Sequence, residues 1–132
     1  MGTKMIWGNF SVKDVNRTSQ FYTELGFKPN ESHSAPGLAS FLFGDTKFVI
    51  HFFEHGSQID EYLPPGSKNT GEIMFTLSAE KEEEVKELEN KVKAAGGEII
   101  QKAGRDKSGY YGFVFADPDG HKFNVLLMEG GM

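Results

Sequence analysis

There is no cysteine among the 132 residues. Disulfides and thiolate metal sites are therefore excluded, and stability has to come from an apolar core. Long apolar runs are missing too. No segment reaches the roughly 20 residues that a membrane-spanning helix needs, and the opening MGTKMIWGNF has no stretch suited to the h-region of a secretion signal. A soluble, cytoplasmic protein with no membrane partner is expected. Positive charge is in deficit, with 14 Lys and Arg against 19 Asp and Glu and a net charge of −5. Nucleic-acid surfaces depend on a basic field, so nucleic acid is not an expected partner. There is no glycine-rich phosphate loop of the Walker or dinucleotide type, and no Ser-His-Asp arrangement can be read. Tryptophan occurs once, as Trp7.

What is present is a globular composition, 25% charged and 38% hydrophobic, in a chain sized for one domain. Ile6 to Val12 reads as a strand. Asp14 can accept a free backbone N–H as an N-cap, and Val15, Thr18, Phe21, Tyr22 and Leu25 recur at helical spacing. Gly26 suits the left-handed position that ends a helix. Residues 27–34 read as a weak strand, with Pro29 favouring an edge. Leu38 to Phe43 and Lys47 to Phe53 read as strong strands joined through Gly44-Asp45. Residues 56–70, with Pro64-Pro65-Gly66, read as a linker long enough to suspect a job. The pattern then begins again. Glu72 to Leu77 is a strand, and a helix starts at Ser78 or Glu80 with Val85, Leu88, Val92 and Ala95 as its apolar stripe. Gly96-Gly97 closes that helix. Glu98 to Lys102, Tyr110 to Phe115 and Lys122 to Met128 are strands, the last two joined by the tight turn Asp117-Pro118-Asp119-Gly120.

Strand, helix, strand, strand, strand thus occurs twice. The expected organisation is a single α+β domain, residues 1–132, with a βαβββ module over 1–55, a linker over 56–70 and a second βαβββ module over 71–132. One curved half-sheet with one helix cannot close a cavity, whereas two can share one.

Two segments resemble a known family. FSVKDVNRTSQFYTELGF is similar to the opening of vicinal-oxygen-chelate proteins (the glyoxalase, bleomycin-resistance and extradiol-dioxygenase relatives), where Val-x-Asp ends a strand and Leu-Gly-Phe ends a Phe-Tyr helix. GFVFADPDGHKFNVLLME resembles their final hairpin. With the repeated element order, the likeness covers nearly the whole chain. It implies two βαβββ modules forming a curved mixed sheet around one cavity, a small-molecule ligand and pairing as a homodimer.

The resemblance also implies four metal positions, on the first and fourth strands of each half, in the pattern His or Gln, Glu, His, Glu. Here they fall on Trp7, His51, Glu72 and Asn124. Trp7 has only a donor N–H, and Asn124 offers one neutral oxygen. His51 and Glu72 are competent ligands. The family's divalent metal, zinc, nickel or iron, is therefore not carried over, and His51 with Glu72 is the weak site that remains.

Strand alternation indicates which residues face the cavity. Trp7, Asn9 and Ser11 share one face, opposite Phe10 and Val12. Val49, His51 and Phe53, then Glu72, Met74 and Thr76, and then Asn124, Leu126 and Met128 are expected on the cavity side. This lining is largely apolar with a few placed polar groups, as in pockets for organic ligands. His51 and Glu72 can simply satisfy each other. In a functional role, Glu72 is the natural general base and His51 the acid or orienting group. Tyr111, in the charged and glycine-bearing stretch 105–112, can reach the mouth as a lid. His33, His55 and His121 read as surface residues.

Two functions follow from the resemblance. One is a binding protein similar to the bleomycin-resistance members, holding a hydrophobic or cationic compound, with Trp7 as a stacking or cation–π surface. The other is a metal-dependent lyase or isomerase similar to glyoxalase I, in which a metal polarises a carbonyl and a carboxylate moves the proton.

Overall fold

The computed structural model describes residues 2–32, 35–65 and 72–129. His33 and the end of the expected linker lie outside them. The chain forms two compact units, Met1–Ser67 and Lys68–Met132, each a βαβββ module with its own four-stranded mixed sheet.

The first unit runs β1 (Gly8–Val12), α1 (Val15–Glu24), β2 (Lys28–Pro29), β3 (Leu38–Phe43) and β4 (Phe48–Glu54). Its sheet order is β1-β4-β3-β2, with β1 parallel to β4 and the other pairs antiparallel. The helix begins where expected. Asp14 is extended, and its carboxylate accepts the N–H groups of Asn16 (2.9 Å) and Arg17 (3.3 Å). Glu54, at the far end of β4, accepts the N–H of Val15 at 3.1 Å. Two carboxylates thus cover three donors that a helix start leaves unpaired, and both favour the positive end of the helix dipole. Gly26, at φ 98°, turns the chain out of the helix.

Under the helix lies an aromatic core. Tyr22 is fully buried, stacked on Phe52 at 4.8 Å between centroids and tilted against Phe41 at 5.7 Å. Burying each such ring is worth about 2 kcal/mol or more. Expected and observed strands differ at their ends. Among the described residues of the expected strand over 27–34, the two-residue edge strand β2 forms, and it pairs through Lys28 and Pro29 with Leu42 and Phe41. Proline cannot donate to a ladder, and here it needs no partner on the outer side. After β4, residues 56–61 are held by Asp60, which accepts the Gly56 N–H at 2.8 Å and meets His55 Nδ1 at 3.1 Å. A short 3-10 turn, Gln58–Glu61, therefore occupies part of the stretch expected to be a linker.

The second unit runs β5 (Met74–Ala79), α2 (Glu82–Ala94), β6 (Glu98–Arg105), β7 (Tyr111–Ala116) and β8 (Lys122–Leu127), in the order β5-β8-β7-β6. The helix starts later than expected, because β5 stays paired with β8 as far as Ala79 opposite Leu127. Glu84 then reaches back to accept the N–H groups of Glu80 (2.9 Å) and Lys81 (3.0 Å). Val85 and Val92 are fully buried, and Phe115 stacks on Phe123 at 5.3 Å. β6 runs three residues beyond its expected end, through irregular pairing, to meet Tyr111 at Arg105.

The expectation for His121 is corrected. It is 6% exposed, not a surface residue. Its Nδ1 meets the Asp117 carboxylate at 2.9 Å, while the other Asp117 oxygen accepts the N–H groups of Asp119 and His121. The Asp-Pro-Asp-Gly turn is closed from inside by its own first aspartate. A histidine four residues on can be buried there because its ring has a carboxylate partner.

Candidate functional site

Each sheet has one face under its helix and one face turned away from it, and the expected site residues sort onto these faces. In the first unit, Asn9, His51 and Ser40 lie side by side across β1, β4 and β3. Residues paired in this way project from the same side of the sheet. Ser11, Phe53 and Leu38 form the next row. The helix-side residues Phe10, Phe52 and Ala39 form the row between them, so the alternation puts the Asn9 and Ser11 rows on the other face. Trp7 precedes β1. Its ring stands edge-on to His51 at 6.3 Å, and His51 stands edge-on to Phe53 at 5.8 Å. Trp7, Asn9, His51 and Phe53 are thus brought together. Trp7 is 47% exposed, whereas His51 is only 8% exposed.

His51 is anchored from behind. Its Nδ1 lies 2.8 Å from Ser40 Oγ, which accepts a hydrogen bond from Asn30 Nδ2 at 3.1 Å. Ser32 Oγ in turn donates to Asn30 Oδ1 at 2.9 Å. Ser40 and Asn30 were not among the expected site residues. The signal for Ser40 is a hydroxyl inside the otherwise apolar strand LASFLF. The signal for Asn30 is weaker, because it follows a two-residue strand that the sequence does not delimit.

In the second unit, Thr76, Asn124 and Val114 form one row across β5, β8 and β7, and Ser78, Leu126 and Gly112 form the next. Met74 belongs to the same face by alternation and is 48% exposed. Asn124 Nδ2 points at Thr76 Oγ1 across a long 3.5 Å. Met128 follows β8 and is exposed, with its N–H bound to Ala79 O. Glu72 is exposed and precedes β5 by two residues, so it is not part of that strand. A shallow hollow on this face is lined by Gln101, Asp106, Tyr110, Val114, Asn124 and Leu126.

Tyr111 is placed differently from its expectation. It lies in β7, within the expected strand, but it is buried and alternates with the core residues Phe113 and Phe115, so it is not a lid at a mouth. Arg105 covers its ring at 5.8 Å. The tyrosine beside Asn124 is Tyr110, one residue earlier and half exposed. A one-residue difference in register reverses the face. The turn that carries Tyr110 is ordered by Asp106, which accepts the N–H groups of Ser108 (2.8 Å) and Tyr110 (3.0 Å).

The four family metal positions can be tested by their donors. Trp7 offers only an N–H and cannot ligate a cation. The Asn124 amide group donates towards Thr76 and leaves one neutral oxygen. Two strong donors, His51 and Glu72, fall short of the three protein groups that such sites ordinarily use. Among the described residues, no cluster of three or more His, Cys, Asp or Glu side chains is placed to hold a metal ion. By the chemistry of its donors, this set of four does not fit the family's metal. No helix among the described residues is long and apolar enough to cross a membrane.

With this arrangement in view, the comparisons define the class. The family model of the glyoxalase/bleomycin resistance protein/dioxygenase superfamily matches residues 6–125, so the chain belongs to that superfamily. Among solved structures it is similar to a hypothetical protein, SA1046, from S. aureus, with 32% identity, TM-score 0.84 and coverage of 97% of this chain and 96% of that one. It is also similar to a glyoxalase/bleomycin resistance protein/dioxygenase family enzyme from Burkholderia phytofirmans PsJN, with 23% identity, TM-score 0.77 and coverage of 93% and 97%. A bleomycin-binding protein solved in complex with bleomycin shares the fold at 20% identity, TM-score 0.65 and coverage of 96% and 100%. A search of curated proteins gives no match.

Proposed function

We propose that this superfamily member binds and sequesters a small hydrophobic or cationic organic compound, without a tightly held metal. The observation that carries the reading is Trp7, half exposed and edge-on to His51 at the place where the family pattern puts its first metal ligand. A large aromatic ring there supplies stacking or cation–π attraction, and it removes a donor that metal catalysis requires. Within the second unit, Met74 and Leu126 present an apolar surface of their own with Asn124 as a polar contact, in keeping with pockets for organic ligands. The net charge of −5 adds long-range attraction for a cation. The superfamily fold includes a protein solved with bleomycin bound, so the scaffold accommodates a binding role. Glu72 and His51 are the groups through which any proton transfer would run.

The proposal extends to a homodimer of this chain in the cytoplasm. Sedimentation of the purified protein tests the dimer.

The function is tested by metal analysis and by ligand titration. The dialysed protein is expected to carry well under one equivalent of nickel, zinc or iron. Benzyltriethylammonium and neutral naphthalene derivatives are then titrated while Trp7 fluorescence is followed. Saturable quenching is expected, together with at least a fivefold loss of affinity by calorimetry for Trp7→Ala, from about 1 kcal/mol of lost aromatic contact. A stoichiometric metal that survives dialysis and supports turnover would overturn the reading. So would the failure of every probe to bind.

A further inference from the structure

Two glycines stand side by side on the face of the second sheet that is turned away from α2. Gly104 of β6 pairs with Gly112 of β7, in the row that continues through Leu126 and Ser78. Gln101 pairs with Val114 in the row of Asn124 and Thr76. Gln101 and Gly104 are three residues apart, so plain alternation would set them on opposite faces. The irregular pairing between them brings both to the same one. A hollow of about 70 Å³ lies at the glycine pair, with Gln101, Asn124 and Leu126 around it and Asp106 and Tyr110 of the turn in its wall. The two glycines differ in what they allow. At Gly112 a β-carbon would strike the Val125 carbonyl. Gly104 has a backbone conformation open to any residue, and a β-carbon there would meet nothing within 4 Å. The backbone does not require glycine at 104, and its missing side chain leaves the hollow open.

We infer that this hollow receives a primary ammonium end of the ligand, with Asp106 as its counter-ion and Gly104 as the residue that keeps room for it. The volume falls well short of the roughly 300–1,000 Å³ of a complete organic-ligand pocket, so the hollow takes one end of a molecule. Asp106 is the one formal charge among its described lining residues. Asp106 Oδ1 accepts the N–H groups of Ser108 and Tyr110, which fixes the carboxylate, and Oδ2 has no hydrogen bond among the described residues. The Asn124 amide N–H is directed at Thr76, which leaves Oδ1 as a second acceptor. An ammonium brings three donors and a positive charge to these oxygens, and an aromatic Tyr110 in the wall suits a cation as well. The nearest cations do not compete. Arg105 pairs with Tyr111, so it projects from the opposite face, where it covers that ring and binds Glu129. Lys107 is exposed and does not line the hollow. Asp106 thus selects by charge and Gly104 by space. The inference rests on the binding reading above for the ligand itself, whereas the hollow stands without it.

The full-length protein is titrated at neutral pH and low salt with 2-naphthylmethylammonium and with 2-naphthalenemethanol, which share a body and differ in the charge of the end group. Proton–nitrogen NMR follows the Gly104 backbone amide, the Asn124 side-chain amide and the Trp7 indole. The ammonium is expected to bind about five- to tenfold tighter, the worth of one hydrogen bond to a solvent-screened charge, and to move the Gly104 and Asn124 signals. Added salt should narrow the preference. Asp106→Asn keeps Oδ1 for the turn and should erase it. Gly104→Val places a branched side chain in the hollow and should weaken the ammonium about tenfold, with a urea midpoint close to wild type. Gly104→Ala, the smaller step, should give an intermediate loss. Equal binding of the two probes to wild type, or undiminished ammonium binding to both Gly104 variants, would sink the ammonium site and leave the binding reading intact. Binding that moves the Trp7 signal but neither Gly104 nor Asn124 would do the same. Binding of neither probe would overturn both.

Discussion

The backbone carbonyl of Val125 fills the space that a side chain on Gly112 would need. A Cβ at Gly112 would collide with that carbonyl, whereas one at Gly104 would meet nothing within 4 Å. Gly112 sits in β7 opposite Leu126, in the row next to Asn124 on the candidate ligand face of the second unit.

Gly112→Ala is therefore expected to destabilise the protein by about 2 kcal/mol or more, because the obstacle is backbone and cannot swing aside. Gly104→Ala is the control and should stay within about 0.5 kcal/mol of wild type. Urea midpoints of the two variants decide this. Equal midpoints would mean that β7 and β8 have more room than the pairing implies.

The start of α1 depends on a side chain whose effect can be isolated. Asp14 accepts from Asn16 and Arg17, so Asp14→Ala should cost about 1 kcal/mol. Asp14→Asn keeps the accepting oxygen and should recover most of that loss. If the asparagine variant is as unstable as the alanine one, the charge on the helix dipole outweighs the hydrogen bonds.

Tyr22 is the packing centre of the first unit, in contact with Phe52, Phe41 and Phe43. Tyr22→Ala should cost about 3–5 kcal/mol through the cavity it leaves. Tyr110→Ala, at a half-exposed position, should change stability little, and any effect it has should appear in ligand affinity. Thermal unfolding and probe titration separate the two.

Arg105 and Glu129 form a two-pronged ion pair, at 2.8 and 3.1 Å. The hydrogen bond from Arg105 holds the Glu129 carboxyl below its ordinary value, and Glu129 in turn raises Arg105. The sign for stability follows. A carboxyl with a lowered folded pKa contributes above its unfolded value, and the contribution fades as pH falls through the folded one. Both groups are solvent-exposed, so the effect should be small and weaken with salt. Carboxyl NMR titration should place Glu129 below the usual carboxylate range, and Arg105→Met should return it towards that range. An unmoved titration in the variant would remove Arg105 as the cause.

Features governed by near neighbours were readable before the fold was known. Asp14 as a cap, Gly26 and Gly96 as helix ends and the doubled element order all appear in the structure. Asn9, His51 and Phe53 likewise share one sheet face, because alternation along β1 and β4 carries it. Errors gathered where distant pairing sets the outcome. β5 continues to Ala79 because Leu127 pairs with it, and β6 continues to Arg105 because Tyr111 does. Tyr110 and Tyr111 are adjacent in an aromatic pair, and only the ladder decides which one meets Asn124.

The sequence by itself determined the superfamily plan and the absence of cysteine, since these depend on residue types and local patterns. Tertiary structure alone decided that Ser40 backs His51, that His121 is enclosed by Asp117 and that Gly112 has no room for a side chain. Such facts depend on which atoms approach within a few ångströms across a strand or turn. That proximity is set by register, and composition and spacing do not specify it.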